Sequence, residues 1–152
     1  MNTPVTSYIL KDWSINKVSE IWVADNHVYK RQPKYLCENE WHALNALKNT
    51  GFVPEAWRID DEVIKMEFLI TWPKPTHLRY KFVENCTKLK NALRSVGIRH
   101  GDLTPMNIFY IEHRPVVIDW GESRMWDDPR PDKRPEGDDY WLNLSMESIL
   151  NE

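Results

Sequence analysis

Apolar and polar positions alternate along the first part of the chain with the period of two that a half-buried strand requires. Residues Ser14–Glu20 and Ile21–Ala24 are the candidates for the first two strands. Asp25-Asn26-His27 is a turn signal, because short polar side chains tolerate the backbone of a tight turn. Val28-Tyr29-Lys30-Arg31 follows as the next strand. Near Lys34 the period changes. Leu36, Glu40, Ala43, Leu44 and Leu47 fall on one stripe at helical spacing, which predicts a helix over Lys34–Lys48 with Gly51 as its stop. Glu40 is a carboxylate among aliphatic side chains, whereas Glu38 lies on nearly the opposite face. An unpaired charge in such a stripe is costly to bury, so Glu40 needs a partner, and Lys30 on the preceding strand is the natural one.

Two further runs, Glu55–Asp60 and Glu62–Leu69, read as a hairpin turning at Asp60-Asp61. The two prolines of Thr71-Trp72-Pro73-Lys74-Pro75 rule out helix and central strand there, which makes the segment a linker. The helical period then returns. Phe82, Cys86, Leu89, Leu93 and Val96 give one apolar face to a helix over Thr76–Val96, ended by Gly97. Ile108–Ile111 and Pro115–Asp119 form a second hairpin. A charged, proline-containing loop covers Glu122–Gly137, and a last helix begins at Asp138 or Asp139, with Leu142, Met146 and Ile149 on one face. An acid at that start suits the helix N-terminus, so Asp138 is read as structural.

Composition bounds the class without choosing within it. The 152 residues are 41% apolar and 28% charged, as in a soluble globular domain, and the net charge of -3 gives no electrostatic case for nucleic acid. No apolar run approaches the roughly 20 residues that a membrane helix needs. Met1–Leu10 lacks the basic-then-apolar pattern of a secretory signal. Cys37 and Cys86 are isolated thiols without zinc spacing, which fits a reducing cytoplasm. Cys86 shares the apolar face of its helix and reads as core. Eight tryptophans are many for this length; most are expected in the core or in cleft walls, and a minority in an exposed patch.

The chemistry is concentrated in His100-Gly101-Asp102-Leu103-Thr104-Pro105-Met106-Asn107 and Val116-Val117-Ile118-Asp119-Trp120-Gly121. Asn107 stands five residues after Asp102, and Asp119 twelve after that, closing an apolar run that reads as a buried strand. An isolated pair of this kind would serve to cap a loop. Two such motifs linked by a hairpin supply what phosphoryl transfer from Mg-ATP needs: one carboxylate at the attacking hydroxyl, and an amide oxygen with a second carboxylate for magnesium.

This spacing resembles the protein-kinase signature H-R-D-L-x-x-x-N followed by D-F-G, with Gly101 in place of the arginine and Trp120 in place of the phenylalanine. The resemblance implies an α+β, truncated two-lobed protein-kinase-like fold in a single domain over residues 1–152. The N-lobe, about 1–69, would hold a small antiparallel sheet and one helix; the hinge and linker would take about 67–75, and a short, mainly helical C-lobe about 76–152. It further implies ATP and Mg2+ as cofactors, with Asp102 as catalytic base and Asn107 and Asp119 as metal ligands. Lys30 would sit on the phosphates, held by Glu40, against the rival lysines Lys17 and Lys34 and the plain reading of an exposed strand lysine. Backbone at Glu67, Phe68 and Leu69 would meet the adenine. In the same fold an Asp at the place of Asp138 braces the catalytic loop.

Two departures qualify the match. No glycine precedes Gly51, so a Gly-rich phosphate loop is absent and Val18-Ser19-Glu20 must cover the phosphates, with Glu20 repelling them. About thirty residues follow Gly121, without A-P-E, and Thr104 stands where Ser/Thr kinases usually carry lysine. His-Gly-Asp-Leu-Thr is more similar to atypical kinases of the RIO type, and Ile118-Asp119-Trp120 to the aminoglycoside and choline phosphotransferases. The leading expectation is an atypical serine/threonine protein kinase with a protein substrate or partner, not acting on nucleic acid or membranes, its oligomeric state open. One alternative is a small-molecule kinase whose acids, Glu122, Asp127, Asp128, Asp138 and Asp139, make a pocket for a cationic acceptor. The other is a catalytically weak pseudokinase acting as a binding or regulatory protein.

Overall fold

The structure is a computed structural model that describes residues 6–12, 17–70, 79–134 and 136–150, with side chains from Ser19 onward. Strands β1 (Thr6–Asp12), β2 (Lys17–Ala24) and β3 (His27–Arg31) lead into helix α1 (Lys34–Ala46), and β4 (Ala56–Arg58) and β5 (Val63–Glu67) complete an antiparallel sheet ordered β1-β2-β3-β5-β4. Asp25 and Asn26 turn the β2–β3 hairpin at φ 56° and 59°, the left-handed backbone that their side chains tolerate. The expected pair of strands, Ser14–Glu20 and Ile21–Ala24, is a single strand starting at Lys17; Ser14–Asn16 lie outside the described residues. The true first strand is Thr6–Asp12. The polar Ser19-Glu20 step is no break, because successive residues face opposite ways. Ser19 and Ile21 line a cleft, while Glu20 pairs with Arg31 at 3.3 Å on the other side. The expected repulsion between Glu20 and a nucleotide is therefore removed by its position in the strand.

The second half begins with α2 (Arg79–Val96) and continues through β6 (Ile98–Arg99), the β7–β8 hairpin (Ile108–Ile111 and Arg114–Val117), β9 (Arg124–Met125) and α3 (Asp138–Leu150). The Thr71–Pro75 linker and the Thr76–Leu78 start of the helix lie outside the described residues. Leu44 of α1 and Leu47 just past its end, Ile64 of β5, Leu89 and Leu93 of α2, Val117 of β8 and Leu142 of α3 belong to one buried cluster, so the apolar stripes of both halves close on a common core. Cys86 packs in a smaller one with Phe82 and Ile149. Of the tryptophans, Trp120 is fully buried, Trp22 stacks on Tyr29 with centroids 5.4 Å apart, and Trp57 and Trp126 are exposed. No helix among the described residues is long and apolar enough to cross a membrane.

The segment after Gly121 is more ordered than a charged loop suggests. β9 pairs with β6. The Arg99 guanidinium donates to the carbonyls of Trp126, Asp128 and Arg130 and to Asp132 Oδ1, all at 2.9–3.1 Å. One arginine thus satisfies three backbone acceptors that no sheet or helix serves.

Candidate active site

Lys30, Glu40 and Asp119 meet at the junction of β3, α1 and the turn after β8. Lys30 Nζ lies 2.8 Å from Asp119 Oδ1 and 3.1 Å from Glu40 Oε1, with Glu40 fully buried. The expected Lys30–Glu40 pair is therefore formed, and Lys34 stays exposed at the surface. Burial alone would lower the pKa of Lys30; the charges of Glu40 and then Asp119 outweigh it and hold the ammonium above the ordinary lysine value. Conversely, the Lys30 charge holds Asp119 below the usual carboxylate range against the effect of burial. Glu40 also accepts from Gln32 Nε2 at 2.6 Å and from the Trp120 N–H at 2.8 Å, so both its oxygens are used. That second bond ties α1 directly to the Asp119-Trp120-Gly121 turn. Asp119 itself has φ 62°, a backbone that few non-glycine residues adopt.

The loop bearing Asp102 is held from behind. Asp138, at the start of α3, accepts from the His100 N–H at 2.7 Å and the Gly101 N–H at 3.1 Å, the bracing role expected of it. Burial pushes the Asp138 carboxyl up, and the two loop amides that donate to it oppose that shift. His100 Nε2 lies 2.9 Å from the Ile118 carbonyl, while Nδ1 accepts the Asp102 N–H at 3.1 Å; those partners require the Nε2–H tautomer. Its ring meets Trp120 edge-on at 4.5 Å. His100 thus joins the Asp102 loop to the Asp119 turn. Asn107 donates Nδ2–H to the Asp102 carbonyl at 2.8 Å, which orients its carboxamide and leaves the oxygen outside that bond.

Gly101 explains why arginine is absent there. Its φ is +86°, and a Cβ would lie 2.9 Å from the Glu122 carbonyl oxygen. Gly101→Ala is expected to cost about 2 kcal/mol or more, because both the backbone region and the space are denied to a side chain. Urea denaturation of the two proteins checks this; equal midpoints would show that the loop accommodates the methyl group.

These residues open onto a cavity of about 580 Å³ whose lining includes Ile21, Val28, Lys30, Met66, Glu67, Leu69, Asp102, Asn107 and Asp119. The expected catalytic, metal and lysine residues therefore share one cleft. Of the expected hinge residues, Glu67 and Leu69 line the cavity, whereas Phe68 does not and is 42% exposed. The Glu67 N–H is already donated to the Glu55 carbonyl at 2.9 Å, so that amide is spent within the sheet. For a hard cation, Asp119 and Asn107 offer a carboxylate and a carboxamide oxygen in the same cleft. This suits Mg2+, which is held by one or two carboxylates while phosphates and water complete its shell.

Two residues the sequence did not single out stand at Asp102. Arg134 Nε donates to Asp102 Oδ1 at 3.0 Å, and Lys133 Nζ lies 3.7 Å from Oδ2. The Arg134 N–H, bonded to the Gly101 carbonyl at 2.9 Å, fixes the segment there. No periodic pattern marks this contact, because it joins a loop to an irregular segment 32 residues further along the chain. It also overturns the acidic-pocket expectation. Asp138 is turned to the loop backbone, Asp128 to Arg130 at 2.6 Å, and Asp139 to Arg94 at 2.9 Å. Of that set of acids, Glu122 alone lines the cleft.

Comparison with known proteins bears on the fold and the family. A solved structure, the Rio2 kinase–ADP/Mg2+–phosphoaspartate complex from Chaetomium thermophilum, superposes with a TM-score of 0.63 at 16% identity, covering 97% of this chain and 54% of that one. The chain thus spans about half the length of that kinase. No curated protein matches the sequence. The family model of the RIO domain matches residues 16–134, well over half of the chain. The chain therefore belongs to the RIO domain family, with the protein-kinase-like fold of an atypical kinase.

Proposed function

We propose that this chain, acting as a single domain over residues 1–152 in the cytoplasm, transfers the γ-phosphoryl group of Mg-ATP to a serine or threonine hydroxyl of a protein. The observation that carries the reading is the convergence of Lys30, Asp102, Asn107 and Asp119 on one cleft, with Lys30 fixed by the buried Glu40. A binding scaffold has no physical need for all of them. That the matched Rio2 structure holds ADP and Mg2+ supports the choice of nucleotide and metal.

In this reading the nucleotide base lies between Val28, Met66 and Leu69, and its phosphates reach Lys30. Asn107 and Asp119 would hold the metal, which when bound would neutralise charge on the phosphates. Asp102 orients the acceptor hydroxyl and takes its proton as the acceptor oxygen bonds to the γ-phosphorus. The bond from that phosphorus to the β,γ-bridging oxygen breaks, and ADP leaves. Arg134 yields its place at Asp102 Oδ1 to the acceptor. Most of the acceleration comes from positioning and charge neutralisation. The small-molecule alternative is less supported, because Asp128, Asp138 and Asp139 are engaged elsewhere, only Glu122 of that set lines the cleft, and the cations Lys133 and Arg134 stand at Asp102.

Incubation with γ-labelled ATP and Mg2+, against the protein itself and a cell extract, tests the reading. Label on protein that is lost with EDTA is expected, together with Mg2+-dependent stabilisation by ATP that Asp119→Asn removes. Stabilisation without label on any protein would overturn the transfer step and favour a regulatory binding protein.

A further inference from the structure

We infer that Lys133 is the ligand of the γ-phosphoryl group in this cleft, a role that rests on the phosphotransferase reading above. Glu40, Glu67, Asp102, Asp119 and Glu122 line the cavity against three cations, Lys30, Lys133 and Arg134. Lys30 is shared between two carboxylates, Glu40 and Asp119. Arg134 is hydrogen-bonded to Asp102 and half exposed. A γ-phosphoryl group carrying about two negative charges would enter an end of the cleft that already holds Asp102 and Asp119, so beyond the charge a metal would neutralise it calls for a cation of the chain there.

Lys133 is placed to oppose it. Its Nζ is 3.7 Å from Asp102 Oδ2, within ion-pair reach, and its side chain is 31% exposed. Asp119 lines the same cavity. Lys133 therefore shares the cleft with both the carboxylate that would receive the acceptor proton and the one that would hold the metal. The phosphoryl group must pass between those two carboxylates. The chain has no Gly-rich loop to offer backbone amides to the phosphates, and Thr104 brings no charge. The anchoring of the segment through Arg99 and through the Arg134 N–H gives Lys133 a fixed base, while a long, flexible stem lets the ammonium follow the moving group.

A ligand of the γ-phosphoryl group alone distinguishes ATP from ADP, and a structural lysine does not. Calorimetric titration of the full chain with Mg-ADP and with a Mg-bound β,γ-imido analogue of ATP makes the comparison. Lys133→Ala is expected to weaken the triphosphate analogue about tenfold and leave ADP unchanged, as for loss of one charged hydrogen bond. Lys133→Arg is expected to recover most of the difference. Unchanged affinity for both, or an equal loss for both, overturns the role of Lys133 and leaves the phosphotransferase reading standing. Failure of the wild-type chain to bind either nucleotide overturns that reading and the inference with it. Lys133→Met, which keeps the stem, separates loss of charge from loss of packing if the alanine variant melts early.

Discussion

Glu40→Ala is expected to destabilise the fold by about 3–5 kcal/mol, the range for breaking one side of a buried ion pair, and to lower the melting temperature by roughly 10 °C or more. The size follows from what the carboxylate satisfies. Its oxygens take the Lys30 ammonium, the Gln32 amide and the Trp120 N–H, and it is fully buried. Truncation leaves three donors without their acceptor, in a place that water does not reach. The Lys30 ammonium keeps Asp119, whose side chain is 46% exposed and offers weaker compensation. Glu40→Gln should lose less, since one carboxamide oxygen can still accept from Lys30 or from Trp120. Urea denaturation of both variants alongside Lys30→Met measures the coupling. Strong non-additivity between Lys30→Met and Glu40→Ala is expected of residues in one network. An alanine variant within about 1 kcal/mol of wild type would mean that the pair is solvated, as exposed ion pairs are.

The same site shows what could be read from sequence and what could not. Glu40 was legible because the helical period is strict: an acid placed among Leu36, Ala43, Leu44 and Leu47 is buried, and must find a cation. Asp102, Asn107 and Asp119 were legible through fixed spacing across a hairpin, since β7 and β8 set their relative positions. Asp138 was legible as structural from the start of its helix, and as a brace of the catalytic loop only through the kinase resemblance. Gln32 carried no comparable mark. It is a polar residue between a strand and Pro33, and its burial at 3% exposure depends on Glu40 folding over it. Lys133 and Arg134 were hidden for a related reason. Contacts between irregular segments depend on backbone hydrogen bonds, here Arg134 to Gly101, which leave no periodic trace in side-chain polarity. The first strand was missed because its partner was split at Glu20, where the outward side chain belongs to the sheet's other face and pairs with Arg31.

Asp102→Asn is expected to reduce phosphoryl transfer by about 10²–10⁴-fold, the usual worth of a positioned general base, while nucleotide binding and the fold are retained. The substitution is unusually clean at this position. Asn107 donates to the Asp102 carbonyl and His100 accepts the Asp102 N–H, so both neighbours hold the backbone and neither depends on the side-chain charge. The lost ion pair with Arg134 costs about 1 kcal/mol or less, because that guanidinium is half exposed and reaches water when released. An asparagine of the same shape still accepts one hydrogen bond from Arg134 Nε, so the docking of the segment survives. What disappears is the capacity to take a proton from the acceptor. Single-turnover transfer at saturating Mg-ATP isolates that step from binding. If Asp102→Asn transfers phosphate within tenfold of wild type, positioning and charge neutralisation alone carry the reaction and the proton leaves directly to solvent. If it loses transfer together with Mg-ATP affinity, Asp102 belongs instead to the metal site with Asn107 and Asp119.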